Sequence, residues 1–134
     1  MSFNFEWKPE LSVHEGVIDI QHKKLLSQVN TVIAAILKGV KTKDVEDAIF
    51  FFDEYIHGHL TYEEGYMIKN NYPEFYNHRK MHEDFINKYN LFKDKLKSGV
   101  PAGELILEVE TYIGQWWLNH IAVEDKKYDI FING

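Results

Sequence analysis

The feature that most restricts this chain of 134 residues is a fourfold recurrence. In four runs apolar residues return every three or four positions, and the runs are parted by breaks of roughly two to six residues. The first, residues 19–39, sets Leu25, Leu26, Val29, Val32, Ile33 and Ile36 on one stripe, with Asp19 placed to cap its start and Gly39 to stop it. The second starts at Thr42 and carries Val45, Ile49, Phe52 and Ile56, then His59 and Glu63, until Asn70, Asn71 and Pro73 break the pattern. The third, from Glu74 to about Lys97, aligns His78, His82, Phe85 or Ile86, Tyr89, Phe92 and Leu96, and closes at Ser98 and Gly99. The fourth follows Pro101 and aligns Ile106, Val109, Ile113, Trp116 or Trp117, and His120. This helix is expected to end near His120, before a short broken tail.

Breaks this short force each helix to run against its predecessor, and no alternation of strand type competes with the helical period. The sequence therefore predicts an all-α protein, an antiparallel up-down-up-down four-helix bundle with an N-terminal arm and a short C-terminal helix. A chain of this length without internal repeats builds one core. The expected divisions of that single domain are an arm over 1–18, the bundle over 19–120 and a tail over 121–134.

In such a bundle the start of the first helix, the end of the second, the start of the third and the end of the fourth share one end. The histidines follow that rule. His22 and His59 each lie about 18 residues from the first turn, and His82 and His120 lie about 18 and 20 from the third. At about 1.5 Å per residue they sit near one level. Within helices, His59 with Glu63 and His78 with His82 are spaced four apart, so each pair leaves one face. Asp125, five residues past His120, falls off that face in a continuous helix and needs a bend to join it. A lone histidine on an apolar stripe is an ordinary core residue, but five at one level with a glutamate are not. Buried without a cation they would cost several kcal/mol in unpaired polar groups, which a metal removes. His14, in the arm, and His57, on a polar face of the second helix, are expected to be solvated. Glu64 points away from the Glu63 stripe and reads as a surface charge.

Composition narrows the chemistry. There is no cysteine, so a metal must sit on nitrogen and oxygen. The net charge of −6 argues against nucleic acid and against an anionic membrane as partners. No apolar run approaches the roughly 20 residues of a membrane span, and the first residues lack the basic start and apolar stretch of a leader, so a cytoplasmic location is expected. Only Glu54-Tyr-Ile-His57 matches the Glu-x-x-His pair that ferritin-like di-iron bundles use twice. The His-Glu-x-x-His zinc motif, a phosphate loop and a nucleophile elbow are absent.

"IDIQHKKL", "HLTYEE", "HRKMH" and "LNHIAVED" stand in this order along the chain, and together they resemble the hemerythrin family, in particular its single-domain bacterial members. The resemblance spans about Trp7 to Phe131. It implies two iron ions with an oxo or hydroxo bridge, one held by His78, His82 and His120, the other by His22 and His59, with Glu63 and Asp125 bridging. Of twelve positions on two octahedral irons, those ligands and the solvent bridge fill eleven. The open one falls on the two-histidine iron, where the resemblance implies reversible dioxygen binding for storage, delivery or sensing. One open position suits capture better than turnover, so a non-enzyme is expected; the alternative is a di-iron redox enzyme with peroxidase, nitric oxide reductase or ferroxidase activity. Where many relatives have phenylalanine and leucine, this chain has Leu60 and Trp117. With Leu25, Trp116 and Ile121 these two are expected to shape the dioxygen pocket. The expected partners are dioxygen and an oxygen-consuming enzyme, and the expected state is a monomer, since no long apolar surface stripe is left over.

Overall fold

The computed structural model describes residues 4–38 and 42–134. Its elements are α1 (Gly16–Leu37), α2 (Thr42–Lys69), α3 (Phe75–Lys97) and a fourth long helix, α4 (106–133), with 3-10 turns at Pro9–Leu11 and Ala102–Leu105. The described residues contain no strand, and the helices form the four-helix bundle that their short links require. Among the same residues no helix is long and apolar enough to cross a membrane.

Two of the expected helix ends hold for identifiable reasons. After α2 the Asn71 N–H reaches Ile68 O and the Tyr72 N–H reaches Met67 O, with Asn71 in the left-handed region at φ 55°. That double bond to the last turn is a Schellman cap, and asparagine tolerates its geometry better than any β-branched residue. At the end of α3, Gly99 at φ 99° makes the same arrangement, with Gly99 N–H to Leu96 O and Val100 N–H to Lys95 O. The proposed stop at Gly39 lies outside the described residues.

The start of α1 differs from expectation. Its cap is Glu15, whose carboxylate accepts the N–H groups of Val17 and Ile18 at 2.6 and 3.4 Å, so the helix begins three residues before Asp19. Asp19 is occupied elsewhere: it accepts the Ser12 hydroxyl at 2.6 Å and the Val13 N–H at 2.9 Å, which ties the arm to α1. Farther up, Phe5 exchanges two hydrogen bonds with the Asn30 side chain, both 2.8 Å, and its ring is buried.

The end of α4 is the larger correction, because the helix does not stop near His120. It continues to Asn133 and contains two π-helical stretches, Val109–Gln115 and His120–Asp125. A π turn takes in more residues than the 3.6 of an α turn. Asp125, five residues after His120, is therefore carried round to the histidine's side without a bend in the chain.

Two apolar clusters fill the interior. The larger holds Leu25, Phe52, Ile56, Phe85, Trp117 and Ile121 among others, and the smaller holds Val13, Ile18, Met67, Tyr72 and Tyr128. Along each of the four helices the change from one cluster to the other falls at the histidines and carboxylates singled out above. Apolar surface does remain outside the core, at Phe50, Phe51 and Leu91, each more than half exposed, so a polar exterior is not a ground for the monomeric state.

The arm's seat provides a test. A Cβ on Gly114, in the first π stretch, would collide with the Phe5 ring. Gly114→Ala is expected to undock the arm and to cost about 1–3 kcal/mol, as overpacking does. Urea denaturation would measure the loss, and limited proteolysis would find new cleavage confined to the arm.

Candidate metal centre

Each helix contributes to the layer between the clusters: His22 from α1, His59 and Glu63 from α2, His78 and His82 from α3, His120 and Asp125 from α4. All seven side chains are at most 4% exposed. Their ligand atoms fall into two overlapping groups, Glu63 with His78, His82, His120 and Asp125, and Glu63 with His22 and His59, each within 4.8 Å across.

The two carboxylates divide their oxygens between the groups. Glu63 Oε1 lies 3.3 and 3.1 Å from Nε2 of His78 and His82, while Glu63 Oε2 lies 3.2 Å from Nε2 of both His22 and His59. Asp125 Oδ1 lies 3.0 and 3.2 Å from Nε2 of His78 and His120, while Asp125 Oδ2 lies 3.1 Å from His22 Nε2. A carboxylate spanning two centres has this form.

Whether a metal fits can be decided from atoms that the protein does not satisfy. His120 Nε2 lies 3.0 Å from Nε2 of both His78 and His82. Two cis nitrogens of an octahedron are about 3.0 Å apart when each metal–imidazole bond is about 2.1 Å, as in zinc sites. Both Asp125 oxygens, Glu63 Oε1 and His59 Nε2 are buried without a hydrogen-bond partner among the described residues, although each has another of the clustered polar atoms within 3.0–3.3 Å. These atoms converge on shared points instead of pairing with one another. Five imidazoles and two carboxylates, with no thiolate, form a donor set suited to iron.

The comparisons with known proteins agree with that donor set. The sequence model of the hemerythrin HHE cation-binding domain matches residues 15–128. The chain belongs to the hemerythrin family. It is similar to the bacteriohemerythrin of Stenotrophomonas maltophilia, with 26% identity over 91% of this chain and 77% of that protein. Similarity to the bacteriohemerythrin of Clostridium acetobutylicum is 27% over 92% of this chain and 98% of the relative. Hemerythrin subunit alpha of Lingula anatina is also similar, at 27% identity over 92% of each chain. Hemerythrins are a di-iron, oxygen-binding family, and the buried cluster of this chain fits such a centre.

Further side chains support the layer from outside. His59 Nδ1 donates to Gln21 Oε1 at 2.7 Å, and His82 Nδ1 donates to Glu64 Oε2 at 3.0 Å. The Tyr128 hydroxyl donates to Glu63 Oε2 at 3.1 Å, and burial, then Glu63 and Asp125, push that phenol well above its ordinary range, which keeps it a donor. Glu64 is thus not merely a surface charge, and Gln21 and Tyr128 were not singled out from the sequence. Gln21 and Glu64 each adjoin a ligand, so the signal was adjacency, but no within-helix pattern states which neighbouring helix they face. His57 is exposed as expected. His14 is also exposed, yet its Nδ1 pairs with the buried Asp129 at 3.0 Å and so joins the arm to the end of α4.

Leu25, Leu60, Trp117 and Ile121 are buried in the larger cluster, which adjoins the layer. The Trp117 ring lies 5.7 Å from that of His59 and 6.1 Å from that of His120, and its indole N–H has no partner among the described residues. Trp116, half-buried, stacks on the His120 ring with the ring centroids 4.5 Å apart.

Protons occupy the layer when metal does not. Burial opposes a charge on His22 and His78, but the Asp125 and Glu63 carboxylates beside them outweigh it and raise them from 6.5 to about 9 and about 10. Burial likewise opposes ionisation of Glu63 and Asp125, and the surrounding imidazoles hold both carboxyls well below their usual range. Stability from the raised histidines is complete below pH 6.5 and is lost as pH rises through 9 and 10. Protein stripped of metal by a chelator is therefore expected to melt on the order of 10 °C lower at pH 10 than at pH 6.5. Iron-loaded protein, its ligands already deprotonated, should lack this loss; calorimetry of both forms checks it.

Proposed function

We propose that this hemerythrin binds dioxygen reversibly, for storage, for delivery to an oxygen-consuming enzyme or for sensing, and is not itself an enzyme. The observation that carries the reading is the unequal division of the layer, with three imidazoles on one side of Glu63 and Asp125 and two on the other. In this assignment His78, His82 and His120 hold one iron and His22 and His59 the other, with both carboxylates bridging. Iron bound there supplies reversible two-electron exchange with dioxygen.

The protein's part is to hold, to shield and to leave one place vacant. The two-histidine side is one ligand short, so a diatomic has a place to bind. Leu25, Leu60, Trp117 and Ile121 exclude water from the larger cluster that adjoins it. Dry apolar walls withhold the protons that would let a reduced diatomic leave irreversibly. The Tyr128 hydroxyl steadies the Glu63 oxygen on the two-histidine side. Unpaired and buried, the Trp117 indole belongs to a wall whose polar edge the protein leaves open.

The direct test is a visible spectrum of iron-loaded protein, reduced without air and cycled between air and argon, with iron counted alongside. Two irons per chain and a ligand-to-iron charge-transfer band that comes and goes with air is the expected result. Immediate irreversible oxidation without the band would move the reading to a redox enzyme. Trp117→Leu, which enlarges the space beside His59, is expected to change the dioxygen off-rate or the autoxidation rate by well over twofold; stopped-flow measurement showing both rates unchanged would remove Trp117 from the pocket.

A further inference from the structure

The outer nitrogens of the site's histidines are not treated alike. On the two-histidine side, His59 Nδ1 donates to a neutral amide, Gln21 Oε1, at 2.7 Å, and His22 Nδ1 has no acceptor among the described residues. On the three-histidine side, His82 Nδ1 donates to a carboxylate, Glu64 Oε2, at 3.0 Å. Both acceptors adjoin a ligand on the preceding helix, Gln21 beside His22 on α1 and Glu64 beside Glu63 on α2, so the turns that fix the ligands also fix them. Glu64 keeps a quarter of its side chain exposed while His82 is buried, and solvent at the carboxylate's outer edge offsets the cost of a charge there.

A carboxylate acceptor draws on the Nδ1 proton more strongly than an amide does and so raises the electron density that Nε2 offers a metal. A more electron-rich ligand favours the higher oxidation state. We infer that Gln21 and Glu64 are positioning residues that make the two irons unequal: Glu64, acting through His82, favours the ferric state of the three-histidine iron, and Gln21, acting through His59, leaves the two-histidine iron the easier of the pair to reduce. The inference rests on the assignment of two iron-binding groups proposed above. Its consequence is that the iron with the vacant position is the first to become ferrous and the other follows at a more negative potential.

The test is anaerobic spectroelectrochemistry of the full-length, iron-loaded protein, in which each iron takes one electron from the electrode on passing from ferric to ferrous. Glu64→Gln keeps an acceptor for His82 and removes its charge; Gln21→Glu keeps an acceptor for His59 and adds one. Glu64→Gln is expected to move the second step to more positive potential with the first nearly unchanged. Gln21→Glu should move the first step to more negative potential with the second nearly unchanged. Glu64→Leu, which removes the hydrogen bond itself, should lower iron affinity roughly 10- to 100-fold in competition with a chelator. Steps that stay put in both charge variants, or that move together in each, would overturn the inference. Half-reduced unmodified protein gives a reading that needs no variant. Nitrogen hyperfine couplings should assign three imidazoles to the ferric ion, and two would overturn the proposal. None of these measurements involves dioxygen, so failure of reversible binding and failure of this asymmetry are told apart.

Discussion

Seven polar side chains share one dry layer of this bundle, and the remainder of the structure is arranged around the cost of keeping them there. Imidazoles and carboxylates removed from water would destabilise a domain of this size severely unless they satisfied one another or a cation. Here they satisfy one another only in part. Protonated His22 and His78 with depressed Glu63 and Asp125 can hold the layer without metal, while unpaired atoms on Asp125, Glu63 and His59 mark where the pairing is incomplete. Metal completes it, which makes iron binding and folding stability two readings of one set of contacts.

The apolar interior is divided to suit this layer. Four helices pass from the larger cluster to the smaller one at the same height, so the seven polar side chains enter from four directions onto a level sealed on both sides. The arm and the last turns of α4 close the smaller side, through Val13 and Tyr128 in the cluster and through Asp19, His14 and Asp129 at its edge. The π stretch at His120–Asp125 belongs to the same solution. An α-helix would turn Asp125 away, and the wider turn instead brings its carboxylate between His22 and His78.

Much of this was legible in the sequence because two regular quantities carry it. Helical period sorted the apolar residues, and short links fixed antiparallel neighbours, so counting residues from each turn put His22, His59, His82 and His120 at one height. Where reading failed, a side chain answered to something distant in the chain. Asp19 is a better capping type than Glu15, yet the arm claims Asp19 and leaves the cap to Glu15. Glu64 is visibly off the Glu63 stripe, but that His82 of α3 reaches over to it cannot be seen from α2 alone. After Val123 four charged residues, Glu124 to Lys127, interrupt the apolar stripe, and the helix that continues beyond them has Tyr128, Asp129 and Asn133 partnered in α2 and in the arm.

By itself, then, the sequence determined the helix count, the direction of each helix, the level of the ligands and the chemistry of the donor set, since these follow from residue type and from spacing along one helix at a time. Tertiary structure alone decided which oxygen of Glu63 and Asp125 faces which histidines, how Asp125 is brought round, that His59 and His82 receive Gln21 and Glu64 as outer partners and that the Trp117 indole has none among the described residues. Those are properties of atoms on different helices a few ångströms apart, and a period of 3.6 residues carries no information about the rotation of one helix against its neighbour.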